Sequence, residues 1–176
     1  SAVGSQDPAA KVGVDEGEPA LPMTAERRRA RIEVLSEENA KRRVVETQRK
    51  YRMHTIEKHG PEIPDVVLRQ RAIDGTDPIT GTPGRLNKSS QFKSWRIQMH
   101  ALNEALTRKT RGLPAHTGFD REQNPIVRVK MPGAGRGYKP NRRDRQNPIF
   151  NENMNGAEIK FDKVHTDRPF TGFPID

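Results

Sequence analysis

The chain has 176 residues, of which 31% are hydrophobic and 31% charged, with no cysteine and a net charge of +9. These proportions allow one modest core rather than order throughout, and the lack of cysteine excludes disulfides, thiolate metal sites and a cysteine nucleophile while leaving the redox compartment open. A balance this basic favours a polyanionic partner: nucleic acid, an acidic protein or a membrane surface.

Residues 1–24 carry a net charge of −3 and are rich in Ala, Gly, Pro and Asp, which predicts a flexible linker. They lack the charged start and apolar run of a signal peptide. No stretch of the chain approaches the roughly 18 apolar residues that a membrane span needs. The first residue is Ser, which reads as a processed chain or a piece of a longer one. Thr24 then stands where it can cap a helix, although Arg27 does not complete a capping box. From there to Gly60 the chain carries +5 and is filled with helix formers, with Gly60-Pro61 as a stop. Its apolar stripe is thin (Ile32, Leu35, Val44, Val45), so one helix or two fit equally. Residues 25–50 are assigned to a basic helical linker.

"PDVVLRQRAIDG" predicts a short helix ended by Gly75, and "TDPITGTPGRLNKSS" a loop. "SSQFKSWRIQMHALNEALTRKTRG" is the strongest helix pattern. Phe92, Trp95, Met99, Leu102 and Leu106 recur at spacings of three and four and read as a core face. Ser89 or Ser90 is its expected cap, and Gly112 with Pro114 its end. The character then changes. "NPIVRVKM" alternates as a half-buried strand does, "GAGRGYKP" reads as a glycine-rich turn and "NPIFN" as a short strand. "AEIKFDKV" puts Ile159 and Phe161 on one face, Lys160 and Asp162 on the other. "RPFTGFPID" is an expected edge strand. Helices first and short strands after predict an α+β domain, its helices packed on one face of a small antiparallel sheet.

His54 and His59 bracket Lys58 near the end of the basic stretch. Their i,i+5 spacing separates them by about 140° on a helix, against the i,i+4 pairing of a zinc-protease helix, and no acidic cluster joins them to make another metal site. Two readings remain. In one, His59 is a cation at a helix C-terminus. In the other, the pair does acid–base chemistry near neutral pH. RNA cleavage without metal needs a base for the 2′-hydroxyl, an acid for the 5′-oxygen and a cation for the phosphorane; His54, His59, Lys58 and Arg69 supply those types. "GAGRGYKPNRRDR" is a second candidate. Its glycines let backbone N–H groups approach phosphate, Arg136, Lys139, Arg142 and Arg143 add charge, and Tyr138 can stack on a base. It lacks the GK[ST] ending of a Walker A loop, and by itself reads more simply as a hairpin turn with solvated charges. Ser94 stands beside the Phe92/Trp95/Met99 face, facing a cleft. His100 and His116 read as surface residues. No GxSxG supports a serine hydrolase.

Taken in order, "HTIEKHG", "LRQRAIDGTDPITG", "SSQFKSW", "GAGRGY", "AEIKFDKV" and "RPFTGFP" resemble the C-terminal ribonuclease toxin domains of bacterial polymorphic toxins. Such domains are the payloads of contact-dependent inhibition proteins and Rhs-type effectors, and the likeness is greatest to the group sharing the barnase–EndoU–colicin–RelE fold. The likeness covers roughly residues 51–176. It implies N-terminal helices against a twisted four- to five-stranded antiparallel sheet and, with no metal or other cofactor, cleavage of RNA, often tRNA. It also implies delivery, as part of a larger secreted or surface protein, to a target-cell cytoplasm, and a cognate immunity protein, for which the basic surface suggests an acidic one. Carried over by position, the family's histidine helix falls on His54 and His59, its following arginine on Arg69, its "SxF" helix start on Ser90 and Phe92, and its terminal threonine on Thr171. Residues 1–50 lie outside the likeness. A non-enzymatic RNA-binding protein and a metal-dependent nuclease are the competing readings.

Overall fold

The computed structural model describes residue 4 and residues 23–112 and 116–176. Most of the expected N-terminal linker, Pro114 and the side chain of His116 lie outside what is described. Two compact units divide the chain, Ser1–Glu33 and Val34–Asp176. Within the first, the described helical residues are the opening turns of α1 (Ala25–Tyr51). Thr24 caps them as expected, its Oγ1 accepting the Arg27 N–H at 3.2 Å.

The second unit takes up the rest of α1, whose Ala40 and Val44 enter the core. Of the expected apolar stripe Val44 is buried, while Ile32 and Leu35 are exposed. The basic stretch is two helices. Arg52 adopts a left-handed φ of 56°, and the chain restarts as α2 (Thr55–His59). Gln48 spans the break, its Oε1 accepting the Ile56 N–H at 2.8 Å and its Nε2 donating to Glu57 at 2.9 Å. The Tyr51 carbonyl, left over at the end of α1, accepts Arg168 Nε at 2.8 Å; unpaired helix-end carbonyls need such partners. Next comes α3 (Asp65–Asp74), closed by Gly75 in the left-handed conformation at φ 71°.

After β1 (Ser89–Phe92), α4 (Trp95–Arg111) begins at Ser94, which accepts the Ile97 N–H at 3.1 Å, and ends at Gly112. The sheet continues through β2 (His116–Phe119), β3 (Pro125–Lys139), β4 (Ile149–Phe161) and β5 (Pro169–Ile175). All pairings are antiparallel, in the order β1-β3-β4-β5, and β2 shares with β1 the outer edge of the long strand β3. The α+β expectation, helices with a small antiparallel sheet of four to five strands, is borne out.

Val127, Val129, Ala157, Ile159 and Phe161 line one sheet face and form a single core with Trp95, Met99, Leu102 and Ala105 of α4, Val44 of α1 and Phe92 of β1. The strict alternation of "AEIKFDKV" therefore does what it predicts: Ile159 and Phe161 go inward and Lys160 to the opposite face. The sheet curls until its end strands meet, and Ser90 Oγ on β1 donates to the Pro174 carbonyl on β5 at 3.2 Å.

Two local expectations are corrected. "SSQF" is a strand and not the first turn of α4, because Ser89 through Phe92 pair with Tyr138 through Gly135 of β3. Tertiary pairing overrides helix patterning there, Ser94 is the cap, and the "SxF" pair sits on a strand. "GAGRGYK" is the second half of β3 and not a turn; the β3–β4 hairpin turns later, and "NPIFN" and "AEIKF" form one continuous strand. The alternate glycines permit close approach. A Cβ on Gly135 would overlap the Pro174 ring, and one on Gly137 the Ser89 carbonyl. Gly137→Ala, which meets backbone, is expected to cost about 3 kcal/mol or more in urea unfolding. Gly118→Ala, whose Cβ meets only the Ile126 side chain at 3.8 Å, should stay within about 1 kcal/mol of the parent.

Candidate active site

The face of the sheet opposite the core carries Lys160 on β4, directly paired with Thr171 on β5, and Phe173 two residues on. There α2, α3, β1, β4 and β5 enclose a cavity of about 390 Å³. Its charged side chains are unbalanced: Lys58, Arg71, Lys88 and Lys160 against the single carboxylate of Asp176. Lys160 is neutralised in part by Asp120 at 3.1 Å, and Lys88 loosely by Asp176 at 3.4 Å. Arg71 is the informative one. Its Nη1 is buried with no hydrogen-bond partner among the described residues. Burial works against its charge and Asp77 partly supports it, yet a guanidinium stays protonated in proteins. A buried, unpaired N–H of a cation costs about 1–3 kcal/mol or more.

His59, the last residue of α2, is 7% exposed and lines the same cavity. Its Nδ1 lies 2.8 Å from the Ser90 carbonyl. A carbonyl only accepts, so Nδ1 carries the hydrogen and the lone pair is left on Nε2. Phe173 packs beside the ring at 5.3 Å. Burial pushes the imidazole pKa down to about 3; the Ser90 hydrogen bond opposes this, and the nearby charges of Arg71 and Lys58 add to it. His59 is thus a neutral imidazole, not the cation that a helix C-terminus favours. Thr171 lies across the cavity with no partner for its hydroxyl among the described residues. The adjoining Gly172 carbonyl is held at 2.6 Å by the buried Thr55 hydroxyl, which is in turn reached by Gln98 at 3.4 Å. α2 and α4 together therefore fix the height of β5.

Four of the residues singled out in the sequence come together here: Lys58, His59, Ser90 and Thr171. Ser90 does so through its carbonyl, since its hydroxyl is donated to Pro174. The others stand elsewhere. His54 is exposed at the N-cap of α2, its backbone N–H on the Phe170 carbonyl at 3.1 Å, and does not line the cavity. Arg69 binds the Gln146 carbonyl at 2.7 Å. Ser94 is spent on capping α4. Arg136 is held by Asp65 at 2.6 Å and Gln91 at 2.7 Å, and the Tyr138 hydroxyl by Asp65 at 2.8 Å. Lys139 and Tyr138 line a neighbouring cavity.

Arg71, Lys88 and Lys160 were missed. Arg71 had no local signal: on α3 it is Arg69 that lies within the arc of the buried Leu68, Ala72 and Ile73, and Arg71 stands off it. Lys160 had one, as the outward member of an alternating strand. Lys88 had none. Among the described residues no group of three or more His, Asp or Glu side chains is arranged to hold a metal ion, and no helix is long and apolar enough to cross a membrane. No protein-family model, curated protein or solved structure matches the chain.

The neutral imidazole has a measurable consequence. Its folded pKa, about 3, lies below the ordinary value of 6.5, so between these limits the unfolded chain binds a proton that the folded one does not. Stability from this group is complete above about pH 6.5 and is lost as pH falls toward 3. In His59→Asn the amide keeps a donor for the Ser90 carbonyl but does not titrate. Urea unfolding at pH 7 and pH 5 should show the parent losing about 2 kcal/mol more than the variant over that interval. Equal losses would mean that His59 is not held neutral.

Proposed function

We propose that the chain is a metal-independent endoribonuclease, the payload domain of a bacterial polymorphic toxin that acts on RNA, tRNA foremost, in a target-cell cytoplasm and is blocked by an acidic immunity protein. The observation that carries the reading is a buried neutral histidine, its tautomer set by a backbone carbonyl, in one cavity with Arg71, Lys58, Lys88 and Lys160. A phosphodiester complements both. Its non-bridging oxygens accept from Arg71 and the cavity lysines, and the Thr171 hydroxyl donates a further hydrogen bond.

His59 Nε2 takes the proton from the ribose 2′-hydroxyl. The 2′-oxygen bonds to phosphorus as the bond from phosphorus to the 5′-oxygen breaks. One of the cavity's ammonium groups protonates that leaving oxygen, and the products are a 2′,3′-cyclic phosphate and a free 5′-hydroxyl. The excess of cations over carboxylates stabilises the extra negative charge of the phosphorane. It also draws RNA in through release of counterions. The motif order that resembles polymorphic-toxin ribonucleases supports the same reading, as do Lys58, His59, Ser90 and Thr171 lining one cavity.

Incubation with total bacterial RNA in EDTA should give discrete cleavage of small RNAs. His59→Ala is expected to lose about 10²-fold or more of that activity, and Arg71→Ala a comparable factor. His54→Ala, off the cavity, should remain close to the parent. Tight, salt-sensitive binding without cleavage would replace the enzyme by a non-enzymatic RNA-binding protein. Cleavage only on addition of a divalent ion would replace it by a metal-dependent nuclease.

A further inference from the structure

A second cavity, of about 440 Å³, adjoins the first and shares Lys88, Met154 and Asp176 with it. Its chemistry is different. Tyr138 and Phe150 line it, a directly opposed pair on β3 and β4 with ring centroids 5.1 Å apart. The Arg136 guanidinium lies 4.9 Å from the Phe150 ring centroid. Arg136 and the Tyr138 hydroxyl are both anchored on Asp65, at 2.6 and 2.8 Å. The rings are braced without a ligand, yet Phe150 keeps 43% of its surface exposed.

Three amides complete the cavity, Asn151, Asn153 and Asn155, and Asn151 is already engaged, its Nδ2 donating to Asp176 at 2.6 Å and its oxygen accepting the Asn153 backbone N–H at 3.0 Å. The Asn153 oxygen accepts Lys93 Nζ at 3.0 Å, and the Asn155 oxygen accepts the Gly133 N–H at 2.9 Å. Those bonds fix which end of each amide is which. Both NH₂ groups are left as donors without a partner among the described residues. A braced, half-exposed aromatic ring, two oriented donors and a cationic cavity next door match the three parts of one unstacked nucleotide: base face, base edge and phosphate.

We propose that this second cavity is a base subsite. It takes the nucleobase adjoining the scissile phosphate, stacked on Phe150, with Asn153 and Asn155 donating to its edge. Two donors select an edge with two acceptors, such as guanine O6 and N7. The assignment of the neighbouring phosphate rests on the ribonuclease reading.

The test uses the full chain and a short 2′-O-methyl RNA containing one guanine, which binds but cannot be cut by 2′-hydroxyl attack. Fluorescence anisotropy gives its affinity beside that of a copy abasic at the guanine. Phe150→Ala should weaken binding of the guanine oligonucleotide about tenfold or more and leave the abasic one unchanged. Asn155→Asp keeps the acceptor for the Gly133 N–H and replaces the free donor by an acceptor. It should abolish the preference for guanine, and it decides the matter alone if Phe150→Ala does not fold. Parent-like affinity and guanine preference in both variants would overturn the subsite. Cleavage of the unmodified oligonucleotide by the same preparations separates the two claims. Binding that depends on Phe150 and Asn155 without cleavage overturns the ribonuclease reading and keeps the subsite. Cleavage with unaltered binding overturns the subsite alone. Neither binding nor cleavage overturns both.

Discussion

The arrangement depends on the seating of one short strand. β1 has four residues, all buried, and three of them are polar. It is held on one side by β3, at a separation that only glycine at 135 and 137 allows, and reaches β5 through Ser90 Oγ and Pro174. From that position it fastens the helices. The Gln91 amide donates to the carbonyls of Gly60, Pro61 and Ile63 at 3.1–3.2 Å, in the turn between α2 and α3. The Ser90 carbonyl holds His59 at the end of α2. With that turn pinned, His59 on one helix and Arg71 on the next are both carried to the same face of the sheet. Buried polar groups in such a strand need partners, and most of those found here are the backbone that has to be positioned; the buried Ser89 hydroxyl has none among the described residues.

Two arginines show how site and scaffold differ. Arg136 is on a strand, with its guanidinium divided between Asp65 and Gln91, and it ties α3 to the sheet. Arg71, on a helix, has a buried Nη1 with nothing to bind among the described residues. Both are cations in a basic protein, so charge alone does not distinguish them. Satisfaction does. A partnered ion at the surface contributes little either way, whereas a buried N–H left open destabilises the fold. The large core behind the sheet, with Phe92, Leu102, Ile159 and Phe161 almost fully buried, is what lets the fold tolerate it.

Much of the fold was legible because its signals are local. The Thr24 cap, the left-handed Gly75, the α4 stripe and the alternation of 157–161 each act within a few residues. What was misread depends on partners distant in the chain. "SSQF" carries good capping residues, but the pull on it comes from β3, some 45 residues later. "GAGRGY" looks like a turn because glycine is common in turns, although its glycines answer to Ser89 and Pro174 across the sheet. At the site, the histidine nearest the Gly-Pro stop, the lysine beside it, Ser90 and Thr171 were legible as a set. His54 and Arg69 were singled out with them for their residue type, while the structure gives both other surroundings. Choosing Arg71 over Arg69 required the tertiary partners of each, because the buried face of the ten-residue helix, Leu68, Ala72 and Ile73, lies nearer Arg69.

On the ribonuclease reading, the electrostatics of the cavity couple binding to chemistry. Without an anion, Arg71 and Lys58 add to burial in keeping a proton off His59. That leaves the lone pair free but makes it a weak base. A phosphodiester bound among the cations opposes their fields and raises the proton affinity of the imidazole. It does so at the point where the 2′-hydroxyl is brought alongside. The histidine then strengthens as a base because its substrate is bound, and the proton it takes sits beside the negative charge that developed when it left. A site with fewer cations would leave the free imidazole more basic, but would hold the phosphate and the phosphorane less well. The opposed demands are met by one set of side chains, with β1 fixing the ring and α3 supplying the guanidinium that answers to the same phosphate.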